Sequence, residues 1–227
     1  MVAQQVRRSA VLTIPSQVGL VTTARVAVGT DGSYWGQAAL GWAARYAVVR
    51  GAELDVYEAD RRFEQLPPDL PADIGTGSIL RTYPLLAAHI RGSGADSGGT
   101  LLAAGTESEL VVVGCRGQHR RNLGLGSHAL LLVSTASCDV VVVRGRPQAV
   151  RGEFGRVIAW TDGDDRIVPR AREFARTFRR PLEVVRHQPG SDAPDGADLL
   201  VVADGAAART ALHHATCPVL VLTDRDS

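Results

Sequence analysis

The sequence predicts an α/β fold: two open parallel-sheet domains in tandem, the second one reduced. Two observations carry this. Short, near-continuous apolar runs alternate with stretches of helical spacing, the pattern of parallel strands covered on both faces by crossover helices. The chain also repeats itself: RVAVGTDG (25–32) returns as RVIAWTDG (156–163), ELVVVG (109–114) as DLLVVA (198–203), and SCDVVVVR (137–144) as TCPVLVLT (216–223). The blocks keep their order while the offset between copies falls from 131 to 89 and then to 79, so the second copy has lost its middle and its glycine-rich loop. The reading divides the chain into an N-terminal extension (1–24), a first domain (25–147) and a shortened second domain (148–227).

The elements follow in order. Arg25–Val28 is an apolar strand. Tyr34–Val49 is a helix, with Ala38, Leu40, Trp42, Ala43 and Ala47 at helical spacing and Gly51 as its stop. Glu53–Tyr57 is the second strand, and residues 61–84 are rich in Pro and Gly and hold at most one helical turn. Leu85–Arg91 is a weak strand, Thr100–Ala104 a short helix and Glu109–Val113 a strong strand. Ser127–Ala136 is a helix that leads into a last strand, Val140–Arg144. In the second copy, strands recur near 182–186 and at Val219–Leu222. Pairing of Val140–Val143 with Val219–Leu222 inside one chain would hide two sheet edges, and a homodimer is the alternative use of those edges.

Composition excludes several chemistries. All 25 basic residues among the 227 are arginine, against 24 acidic ones, for a net charge of +1. Without lysine there is no Walker-A loop, no Schiff base and no kinase-type lysine. A near-neutral chain with 5% aromatic residues offers neither the charge nor the stacking platforms of a nucleic-acid binder. Arg7-Arg8 precede an apolar stretch, but Thr, Pro, Ser and Gln interrupt it, and it reads as an extension. No run is long enough for a membrane span, and the expected location is the cytoplasm. Cys115, Cys138 and Cys217 lack zinc spacing and read as reduced thiols, the last two buried. His213-His214 has no partner cluster, so no metal site is expected. No catalytic constellation emerges either, and the chain is expected not to be an enzyme.

One loop is suited to an anion. After Val113 the chain reads GCRGQHRRNLGLGSHALLL. Gly114, Gly117, Gly124 and Gly126 allow close backbone approach, Ser127 stands at the expected N-cap, and Arg116, Arg120 and Arg121 add charge. Thr30 and Asp31 follow the first strand, so this carboxylate and the glycine loop would meet at the carboxyl ends of neighbouring strands. Asp162, in the matching position of the second copy, reads as a turn cap.

RVAVGTDGS, ALGWAARYAVVRGAELDVYEA and ESELVVVGCRG…LGS…SCDVVVVR together resemble the universal stress protein family. The resemblance covers residues 25–144 apart from 61–84, and residues 156–223 as a worn copy. It implies a five-stranded adenine-nucleotide-binding fold, in tandem here, and a regulatory role in stress with no turnover. It also implies an ATP site in which Asp31 meets the ribose, Ala59 offers backbone to the adenine, and Gly114 and Gly117 line the nucleotide. Gly126, Ser127 and the His128 amide would receive phosphates. The family's loop is G-x2-G-x9-G-[ST]; here it is G-x2-G-x8-G-S, one residue short. The second copy has no such loop. The alternative is a nucleotide-free scaffold that has lost ATP binding and engages another protein.

Overall fold

The computed structural model describes residues 24–59, 76–92, 96–116, 125–163 and 165–223. Along them run β1 (Arg25–Thr30), α1 (Tyr34–Arg50), β2 (Glu53–Glu58), α2 (Thr76–Arg81), β3 (Ala88–Gly92), α3 (Ser97–Gly105), β4 (Leu110–Gly114), α4 (Ser127–Thr135) and β5 (Asp139–Val143). The chain continues through α5 (Pro147–Arg151), β6 (Val157–Thr161), α6 (Ile167–Thr177), β7 (Leu182–Arg186), β8 (Leu199–Ala203), α7 (Ala206–His214) and β9 (Val219–Leu222). The expected strands and helices all recur within a few residues of their predicted bounds. The helix expected at Thr100–Ala104 is longer because Asp96 caps it, accepting a hydrogen bond from the Gly99 amide at 2.9 Å. Most of the Pro/Gly-rich 61–84 stretch lies outside the described residues; its end holds the single short helix α2.

One nine-stranded sheet runs through the molecule in the order β3-β2-β1-β4-β5-β9-β8-β6-β7. Every pairing is parallel except β5 with β9, where Val140, Val141 and Val142 face Val221, Leu220 and Val219. The intrachain pairing expected of these two strands is therefore present, and it makes the sheet continuous. From β1 the chain moves outward to β2 and β3, then returns to the other side of β1 for β4 and β5. From β6 it does the same, with β7 on one side and β8 and β9 on the other. Each return leaves a crevice at the carboxyl ends of two adjacent strands, β1/β4 and β6/β8, where open α/β sheets receive ligands.

Alternation along the buried strands divides the apolar residues between two cores. Val26, Val28, Val112, Val141, Val157 and Val201 face α1 and α6. Ala27, Val111, Val140, Val142, Ile158 and Val202 face α3, α4 and α7. Cys138 and Cys217 lie fully inside the second core, as expected of small apolar thiols, and burial pushes Cys217 up to about 12. Helix α1 lies over β1 and β4 and ends on Gly51, whose φ of 70° lets its amide reach back to Ala47 and Val48. Its aromatic face joins α6: the Tyr46 ring stacks on Phe174 at 5.2 Å, and Trp42 meets Phe178 edge-on at 5.6 Å.

Gln37, in the first turns of α1, is buried, and neither its amide oxygen nor its amide nitrogen has a hydrogen-bond partner among the described residues. An unsatisfied buried amide costs about 1–3 kcal/mol. Gln37→Met keeps the shape and removes the polar atoms. It is expected to stabilise the protein by about 1 kcal/mol, a rise in Tm of about 2–4 °C for a chain of this size, read by thermal denaturation.

Candidate functional site

The β1/β4 crevice is assembled by two turns that lean on each other. Thr30, buried at the end of β1, accepts the Gly32 amide on its hydroxyl at 3.3 Å, and Gly32 takes a φ of 76° to close the turn. The Asp31 Oδ1 accepts the Ser33 amide at 3.0 Å, which orients the carboxylate over the start of α1. Ser33 is the N-cap of α1: its hydroxyl accepts the Gly36 amide at 3.1 Å and donates to the Arg116 carbonyl at 3.5 Å. That last contact binds the turn after β1 to the loop after β4. Gly36 is needed in this arrangement, because a Cβ there would lie 2.8 Å from the Asp31 carboxylate. Ser33 and Gly36 were not singled out from the sequence; the signal was the capping serine three residues before a helical glycine.

The structure gathers most of the expected residues and alters several of their roles. Thr30, Asp31, Gly114, Arg116 and Gly126 converge on the crevice, while Gly117 lies outside the described residues, as do Arg120, Arg121 and Gly124. Gly114 is required for packing: a Cβ would meet the Trp35 carbonyl at 2.6 Å, so the glycine lets α1 start directly against β4. Ala59 gives its amide to the Thr30 carbonyl at 2.9 Å, which leaves only its carbonyl to serve a base. The Gly126 amide donates to the Cys115 carbonyl at 2.8 Å and so is already committed. Ser127 is not the N-cap; Gly126 is, in extended conformation without a side-chain cap, and Ser127 opens the helix. The Ser127 and His128 side chains are exposed, and the His128 ring lies beside Gly98 at the start of α3. An anion in the crevice would therefore be met by the first amides of α4, the Ser127 hydroxyl and Arg116.

The adjacent Cys115 is buried, and that burial pushes its thiol up against the pull of Arg144 and Arg116, which favours the neutral thiol. Arg144 turns away to the other half. Its guanidinium donates to the carbonyls of Leu212 and, at 2.9 Å, His213, closing the C-terminal end of α7.

At the β6/β8 crevice the same turn recurs with a different filling. The Gly163 amide donates to the Thr161 hydroxyl at 3.1 Å, the counterpart of Gly32 and Thr30. The Asp162 carboxylate lies 2.9 Å from His187 Nδ1, just past the end of β7; the residue 164 amide, the donor that its expected turn cap would need, lies outside the described residues. His187 is almost buried and packs edge-on against Trp160 at 4.7 Å. Gly205, entering α7 at a φ of 140°, closes the other side, where a Cβ would stand 3.2 Å from Asp162. Among the described residues no cluster of His, Cys, Asp or Glu could hold a metal, and no helix is long and apolar enough to cross a membrane.

No protein-family model matches the sequence, and no curated protein matches it. Solved structures do match the fold. A universal stress protein from Archaeoglobus fulgidus is similar with a TM-score of 0.59 at 12% identity, over 88% of this chain and 98% of that one. The functionally unknown protein PA1789 from Pseudomonas aeruginosa is similar with a TM-score of 0.57 at 13% identity, over 90% and 94% of the two chains. Matches that span nearly all of both chains at such low identity establish a shared chain path: the fold is one that a universal stress protein also adopts.

Proposed function

We propose that this chain is a universal-stress-type regulatory protein, without turnover, that binds an adenine nucleotide in the β1/β4 crevice. In this reading the sheet is a duplication of one nucleotide-binding unit whose second copy keeps the scaffold and has given up the ligand. The observation that carries it is the contact between the two turns. Ser33 reaches Arg116 at 3.5 Å and brings the Asp31 carboxylate to the same crevice as the start of α4. A carboxylate for ribose hydroxyls beside helix amides for phosphate is the division of labour that a nucleotide requires. The repeated strand order on both sides of β5 and β9, and the repeated Thr-Asp-Gly turn, support the duplication.

Calorimetry with ATP and ADP tests it. The wild type is expected to give saturable heat, and Asp31→Ala to weaken binding about tenfold or more, the worth of a hydrogen bond to a charged group. Phosphate release should stay at background. Absence of heat at millimolar ATP would sink the nucleotide reading. It would favour the nucleotide-free scaffold, for which the committed Gly126 amide is the specific observation.

A further inference from the structure

A second concavity lies at the opposite end of the sheet. It is a cavity of about 150 Å³ between the C-terminal half of α1 and the amino ends of β6 and β8. Arg45, one of its walls, is about 17 Å along α1 from Tyr34 at 1.5 Å per residue, so this cavity is separate from the Asp31 crevice. Trp42, Val49 and Phe178 give it apolar walls, while Arg45, Arg151 and Arg180 bring three guanidinium groups against the single carboxylate of Asp198.

The charges are unevenly balanced. Asp198 accepts the amides of Phe154 at 2.7 Å and Gly155 at 2.8 Å, and Arg180 stands 3.5 Å from it while also donating to the Gly152 carbonyl at 2.8 Å. Arg151 is held by its neighbour Glu153 at 2.6 Å. Arg45 has no ion pair among the described residues: it donates to the Val150 carbonyl at 2.7 Å and lies 6.0 Å from the centre of the Phe178 ring. Burial strips water from its guanidinium and lowers its pKa; Tyr83 and the Asp198 carboxylate pull the other way without offsetting it, and Arg180 adds a smaller push downward. The cavity thus presents a poorly hydrated cation, a second cation with spare donors, and aromatic walls. An inorganic ion would answer the charge and leave those walls wet; a neutral apolar molecule would do the reverse.

We propose that this cavity binds a small organic carboxylate, its charge taken by the Arg45 and Arg180 forks and its apolar body laid against Trp42 and Phe178. Planar forks suit a carboxylate, and the volume, well under the roughly 300 Å³ of sites for larger ligands, limits the occupant to a small one. The walls come from α1 on one side and from β6, β8 and the segment around Gly152 on the other. Occupancy would therefore brace the two parts of the sheet, and binding only the folded state raises its stability by mass action.

Benzoate is the probe, titrated into the full chain and read by tryptophan emission and by Tm, with benzamide as the neutral isostere and inorganic phosphate as the bare anion. Benzoate is expected to saturate both signals, and neither control should match it. Arg180→Gln should weaken benzoate about tenfold or more. Arg151→Gln, at an exposed side chain that leaves the fold intact, should weaken it less. ATP should not compete, since the Asp31 crevice is at the other end. No saturable response to benzoate, an equal response to benzamide, or undiminished affinity in both arginine variants would overturn the proposal.

Discussion

Gly145→Ala is expected to destabilise the protein by about 4 kcal/mol or more, which places it among the exceptional single substitutions. Gly145 follows β5 at a φ of 89°, where an L side chain already costs about 1–2 kcal/mol. A Cβ there would also fall 2.1 Å from the carbonyl carbon and oxygen of Thr216. The obstacle is backbone and cannot swing aside, because the next residue, Arg146, donates its amide to that same Thr216 carbonyl at 2.8 Å. Relief would require parting the segment after β5 from the one before β9. Gly155→Ala is the control: its φ is 81°, but a Cβ would meet nothing within 4 Å, so only the backbone cost of about 1–2 kcal/mol should appear. Urea denaturation of the two variants separates steric overlap from conformational strain by the difference in their midpoints. Equal losses would refute the steric account.

The second large effect is expected at Arg170→Ala. Arg170 on α6 donates to Asp139, the first residue of β5, at 2.8 Å, and also pairs with Glu173. Asp139 is 3% exposed. Burial opposes the charge on Arg170, but its bonds to Asp139 and Glu173 outweigh that and hold its pKa above the ordinary value. Removing the arginine leaves a buried carboxylate that, among the described residues, keeps the Thr223 amide at 3.3 Å as its one remaining hydrogen-bond donor. Breaking a buried pair from one side costs about 3–5 kcal/mol. The guanidinium also covers the Phe174 ring at 4.9 Å, and that contact goes with it. The double variant Asp139→Asn/Arg170→Gln should recover much of the loss, because it leaves no unpaired charge. If it is as unstable as Arg170→Ala alone, the cost comes from packing and not from the stranded carboxylate.

Legibility differed between the fold and the site. The strands were readable because Val26–Val28, Val111–Val113 and Val140–Val143 are apolar without interruption, and only a doubly covered sheet buries such runs. The pairing of β5 with β9 was expected from the family resemblance, and it leaves neither strand with an open edge. The candidate site stands differently, because only its local turns are written in neighbouring residues. Asp31, Gly114 and Gly126 could be named from the sequence, but contacts between distant residues set their surroundings. Gly126 gives its amide to Cys115, Ala59 gives its own to Thr30, and Gly114 makes room for Trp35. Composition cannot foretell which partner claims an amide. Asp162 is the clearest case: its local sequence matches that of Asp31 almost letter for letter, yet His187, 25 positions along the chain, takes its carboxylate.

By itself the sequence determined the α/β class and the run of apolar strands, because periodicity and glycine placement act over a few residues. Tertiary structure alone decided which side chains compensate one another across the sheet. It set Arg170 against Asp139, Arg144 against the end of α7, and three arginines around a cavity that no motif announces. The physical reason is the range of the interactions. Backbone preference and apolar alternation are written locally, whereas a buried charge is stabilised by whatever group folding brings within about 4 Å of it.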